Sequence, residues 1–152
     1  MHALDTLLER ALADRDLAVL ALSRAEELVQ RQHAQRTELA TYRIEYHQRW
    51  AGQFSRQGAI EIVHCYQSFM LRLDEALAQQ QRQVDAATGN AQRARQTLLA
   101  RETRAASIRK LMERRLAEQR LVSDRREQRQ TDERAQQASW RAAHAAAAST
   151  PL

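Results

Sequence analysis

The side chains best suited to chemistry in this chain are five histidines, one cysteine and 19 carboxylates, and their spacing keeps them apart. His64 and Cys65 are neighbours, so on a helix they point to different sides. His2, His33, His47 and His144 contain no i,i+4 pair of the kind that clamps a metal ion. No glycine loop is present that could cradle a phosphate. Catalysis needs groups that converge in a pocket, so neither enzymatic activity nor a cofactor, metal or small-molecule substrate is expected. Cys65 cannot make an internal disulfide. It reads as a small apolar filler in a protein of the reducing cytoplasm.

What the spacing does assemble is a contact surface. Gln35, Leu39, Tyr42 and Tyr46 follow one another at 4-3-4 intervals, and so do Phe69, Leu73, Ala76 and Gln80. On helices, each set forms a single stripe. Two readings are open from spacing alone. The stripes are ordinary packing seam, which suits Leu39 and Leu73, or the aromatic side chains are a docking face, since three rings exceed what a thin two-helix core can cover.

The elements that position these stripes follow from the rest of the pattern. With Val63 as heptad position a, the a series continues through Met70, Leu77, Val84, Ala91, Leu98, Ala105 and Met112 without a polar interruption. The d series is Tyr66, Leu73, Gln80, Ala87, Ala94, Arg101, Ile108, Arg115 and Val122, six of them apolar. A seven-residue repeat held in phase for so long predicts a coiled-coil helix. Composition agrees: aromatics are 5%, with three glycines and one proline, too few turn formers for a many-element fold.

A first helix is expected over about residues 3–50, with Leu4, Leu7, Ala11, Ala18, Ala21, Ala25, Leu28, Leu39, Tyr42 and Tyr46 on its apolar stripe. Gly52 and Gly58 bracket an expected turn over 51–59. A second helix is expected over about 60–143, passing through Gly89, followed by a disordered tail over 144–152. The predicted fold class is all-α: two long helices in one antiparallel coiled-coil hairpin spanning 1–152, the second helix longer and overhanging at its C-terminal end. Opposed residue numbers should total about 112, a register that alanine-rich seams specify weakly. The first helix then ends opposite about residue 111, leaving roughly 40 residues unpartnered and subject to fraying.

That overhang is also where the charge lies. Residues 1–100 hold 12 arginines and 12 acids, whereas residues 101–152 hold 12 Lys+Arg and 7 acids, which accounts for the net +5. Arginine usage alone is not a phosphate code, so nucleic acid is not an expected partner. No segment reaches the ~20 apolar residues of a membrane span, and Met1–Asp5 lack a signal-peptide pattern.

The segment Tyr42-Arg43-Ile44-Glu45-Tyr46, the stripe Gln35/Leu39/Tyr42/Tyr46 and the run Phe69-Met70-Leu71-Arg72-Leu73-Asp74-Glu75-Ala76 resemble the FliJ family of bacterial flagellar export proteins. Tyr66-Gln67 and Asp124-Arg125-Arg126-Glu127-Gln128 are also similar to it. The resemblance implies an antiparallel coiled coil, akin to the central stalk of rotary ATPases, that binds the hexameric export ATPase. It also implies contact with the cytoplasmic part of the export gate and escort of export chaperones. Localisation would be cytoplasmic, peripheral at the inner face of the cytoplasmic membrane through these partners. The gate-binding surface would fall on Gln35, Leu39, Tyr42, Tyr46, Phe69, Leu73 and Ala76. Gln80 departs from the histidine often found there, which sets its share in the contact apart. The basic overhang, with Arg114, Arg115, Arg120, Arg125 and Arg126, would face the ATPase. An injectisome stalk protein and a generic coiled-coil adaptor are the alternative readings.

Overall fold

The computed structural model describes residues 2–54 and 60–151. They form two helices, α1 (His2–Phe54, 53 residues) and α2 (Ile60–Ala148, 89 residues). No strand occurs among the described residues. Both helices carry a carboxylate in the first turn, Asp5 and Glu61, where it complements the positive end of the helix dipole.

Residues Glu9–Ala105 make up one compact unit. Within it, Glu26 pairs with Arg95 at 3.3 Å, Gln32 with Gln80 at 2.7 Å, and Arg43 with Asp74 at 2.7 Å. Partner numbers on α2 fall as those on α1 rise, so the helices run antiparallel and form a helical hairpin. Gln32 and Gln80 total 112, the sum expected for opposed seam residues, whereas the flanking pairs Arg43–Asp74 and Glu26–Arg95 total 117 and 121.

The buried residues of α2 are Met70, Leu73, Val84, Ala87, Ala91 and Ala105, and all six fall on heptad positions a or d. From α1 the unit buries Ala11 and Ala18, one heptad apart. Burying Met70, Leu73 or Val84 contributes about 1.5–3 kcal/mol each, whereas an alanine methyl contributes nearer ~0.8 kcal/mol. The seam is therefore strong near the bend and thin along its alanine stretch.

The second line of the α1 seam differs from the expected one. Leu7, Ala21, Leu28 and Tyr42 are exposed, while Leu22, Val29, Arg36, Arg43 and Trp50, one residue further along each turn, are half-buried. Arginines on that line hid it from a reading by apolar residues. Their aliphatic stems cover the seam, although Arg36 Nε is buried without a hydrogen-bond partner.

In the second unit, Met1–Leu8 with Ala106–Leu152, Leu4 is buried and Leu8, Ile108 and Met112 are half-buried. Every described residue after Met112 is exposed, among them Leu116, Leu121, Val122 and Trp140.

Two boundaries differ from the sequence reading. Helix α1 continues through Gly52 to Phe54, with no positive-φ glycine among the described residues. A single glycine costs a helix about 1 kcal/mol, and the rings of Trp50 and Tyr46, 5.7 Å apart, pack across the preceding turn. The rest of the expected turn, including Gly58, lies outside the described residues. At the other end, residues 144–148 are helical rather than disordered. Alanine has the highest helix propensity, and the hydroxyls of Ser149 and Thr150 donate to the free carbonyls of Ala146 and Ala147. Pro151 then prevents continuation.

Candidate docking face

The aromatic side chains near the bend gather into one cluster. Tyr46 lies at its centre, with ring centroids 4.3 Å from Phe69, 5.7 Å from Trp50, 6.1 Å from Tyr42 and 6.3 Å from Tyr66. Tyr42 meets Phe69 edge-on at 6.4 Å and 77°, the orientation the ring quadrupoles favour. Trp50 and Tyr66, 5.7 Å apart, close the cluster.

Heptad geometry sorts the cluster. Tyr46 falls on the same α1 line as the buried alanines and is half-buried, whereas Tyr42 lies one line outside and is 45% exposed. Phe69 precedes the buried a residue Met70 and is half-buried. Leu73 is 7% exposed and supports the face from beneath. Gln35 is exposed, and Leu39 and Ala76 are half-buried. Gln35, Leu39, Tyr42 and Gln80 line one shallow depression of about 360 Å³, together with Glu38. The structure therefore brings the two predicted stripes to one face, with Tyr42 and Gln35 its most accessible members.

The opposite side of the same helix pair carries a groove that the apolar pattern does not mark. Arg43, His47, Tyr66, Gln67, Met70, Leu71 and Asp74 line a groove of about 440 Å³. Arg43 Nε donates to Asp74 Oδ1, and His47 Nδ1 hydrogen-bonds the Tyr66 hydroxyl. The Asp74 hydrogen bond and charge raise the Arg43 guanidinium above its ordinary value. These pairs bridge the helices, and only their separation by 31 and 19 residues in sequence concealed them.

The five basic residues expected to face a partner are all exposed. Arg115 and Arg126 line one depression of about 500 Å³ with Glu118, Gln119, Val122 and Ser123. Arg114 and Arg125, eleven residues apart, share the adjacent helix line, and Arg120 stands on another. Cys65 is exposed, so it does not fill the core as expected. Among the described residues no cluster of three potential metal ligands occurs, and no helix is long and apolar enough to cross a membrane.

The described residues thus form a two-helix antiparallel hairpin whose polar and aromatic side chains gather on open faces. Residues 1–144 match the family described as Flagellar FliJ protein. The chain belongs to that family, a structural component of the flagellar export apparatus. No curated protein and no solved structure matches it.

Proposed function

We propose that this chain is the non-enzymatic, stalk-like link between the export ATPase ring and the export gate, and that it passes on substrate chaperones. In this reading the face formed by Gln35, Leu39, Tyr42, Tyr46, Phe69 and Ala76, with Leu73 beneath it, docks on the cytoplasmic domain of the gate. The exposed arginines Arg114, Arg115, Arg120, Arg125 and Arg126 meet the ATPase hexamer. The protein works at the inner face of the cytoplasmic membrane through these partners.

The observation that carries this reading is Tyr42, 45% exposed and held edge-on against Phe69. Its ring is pre-oriented by an aromatic neighbour and still open to solvent, which lowers the entropic cost of making it an interface anchor. Backbone strain and buried charge play no part in it.

Co-purification of the chain with purified ATPase and with purified gate domain tests the proposal. Binding to both, together with stimulation of ATP hydrolysis, is the expected outcome. Failure to bind either partner refutes it. A steeply salt-dependent affinity for arbitrary DNA would assign the basic segment to phosphate neutralisation instead.

A further inference from the structure

Along its alanine stretch the seam carries too little shape to choose its own register. Ala11, Ala18 and Ala25 on α1 meet an α2 line that includes Ala87, Ala91, Ala94 and Ala105, all buried or half-buried. Alanine against alanine looks the same after a slide of one heptad. In an antiparallel hairpin such a slide needs the turn to migrate by only about half a heptad, roughly 3–4 residues. Val29, on the half-buried line of α1, and the a residues Val84 and Leu77 of α2, one heptad apart, are all apolar, so such a slide would still set apolar against apolar. Nothing apolar in this stretch opposes the slide strongly.

Two d residues of the seam between Val63 and Ile108 are polar, and of these Arg101 is exposed while Gln80 is half-buried. Gln80 occupies a d position, and its Nε2 donates to the main-chain carbonyl of Gln32 at 3.0 Å, to Gln32 Oε1 at 2.7 Å and to Gln35 Oε1 at 3.3 Å. The first two of these bonds are partly buried. A slide of one heptad either way brings Gln80 opposite Leu39 or Ala25 and Gln32 opposite Ala87 or Leu73. Both half-buried amides then face apolar neighbours and lose their cross-helix hydrogen bonds, which favours the observed register. A single polar residue in a coiled-coil core is known to select register at some cost in stability.

We propose that Gln80 is a positioning residue that locks the hairpin register through Gln32 and Gln35, and thereby sets which α2 residue stands opposite the α1 aromatics. In the observed register Tyr46 lies 4.3 Å from Phe69. One heptad away, Phe69 would have no tyrosine opposite it. Gln80 acts within the hairpin rather than on a partner. The inference rests on the hairpin alone, so it stands or falls independently of what the aromatic face binds.

Disulfide trapping in the full chain, with Cys65→Ser as background, tests it. The in-register pair is Ala25→Cys with Ala87→Cys, and the off-register pairs are Ala25→Cys with Ala94→Cys and Ala18→Cys with Ala87→Cys. Oxidation is carried out in dilute solution under thiol–disulfide exchange, and intrachain products are scored as monomers on a denaturing gel. With Gln80 present, only the in-register pair should close. With Gln80→Leu, at least one off-register pair should close to within about tenfold of the in-register yield, while helix content by circular dichroism is retained or rises. Gln80→Ala is read in the same way and decides the matter if the leucine variant loses helix. Off-register closure with Gln80 intact, or an unchanged pattern in the folded variants, overturns the proposal.

Discussion

Tyr42 and Tyr46 are one turn apart, yet the structure assigns them different costs. Tyr46 is half-buried, on the seam line, with four aromatic neighbours. Large aromatic-to-alanine changes in a core cost about 3–5 kcal/mol, and partial exposure brings Tyr46→Ala to roughly 2–3 kcal/mol. Tyr42 keeps 45% of its surface in water and touches two rings at the long end of the favourable range, 6.1 and 6.4 Å. Its removal forfeits little beyond an aromatic pair, about 0.5–1.5 kcal/mol. Urea unfolding followed by far-ultraviolet circular dichroism should show Tyr46→Ala the more destabilised by at least about 1 kcal/mol, without a change in slope. Binding should rank them the other way. As an interface anchor worth ~2 kcal/mol, Tyr42 should cost the proposed gate contact about thirtyfold in affinity when truncated. Equal destabilisation by the two substitutions would show that the division into seam and flank is wrong.

Gly89→Ala should stabilise the chain by about 0.5–1 kcal/mol, read as a higher urea midpoint, because a Cβ there would meet only Arg93 Nη1 at 4.0 Å and alanine is the better helix former. Gly52→Ala should also stabilise, since among the described residues no atom beyond the helix's own backbone and the adjacent residues lies within 4 Å of the added Cβ; destabilisation would mean that α1 ends before it. Val84→Ala, at a site 4% exposed, should cost about 1–3 kcal/mol, one methyl pair plus the space left behind. Replacing Arg115 and Arg126 together by Glu should weaken ATPase binding in a salt-dependent way and leave gate binding and unfolding unchanged. The Asp74 hydrogen bond and charge raise the Arg43 value, so while Asp74 is ionised the contribution of Arg43 is complete below the ordinary arginine range and is lost as pH rises above it. Stability between mild acid and neutrality should therefore be the same for Arg43→Gln and the parent in its pH slope.

The α2 seam was fully legible because every a and d residue from Val63 to Ile108 other than Gln80 and Arg101 is apolar, so periodicity alone marks the buried line. The α1 seam was legible only on one of its two lines. Arg15, Arg36 and Arg43 occupy positions that apolar patterning cannot flag, since an arginine covers a seam with its stem while its head stays polar. That one-residue displacement also puts Tyr42 outside the seam, which leaves room for a docking role that the stripe alone left open. Gly52 misled because a glycine reports permission to leave the helix, and the aromatic packing around Trp50 decides otherwise. In the sequence Gln80 is only a departure within a contact stripe; the cross-helix hydrogen bonds that define it depend on side chains 45 and 48 residues away.

The most direct measurement is the affinity of the Tyr42→Ala/Phe69→Ala double variant for the gate domain and for the ATPase, measured side by side on protein of unchanged helix content. The account predicts a loss of about thirtyfold or more toward the gate, with ATPase affinity within about twofold of the parent, as expected for independent sites. A parallel loss toward both partners, or an undiminished gate affinity, would contradict it.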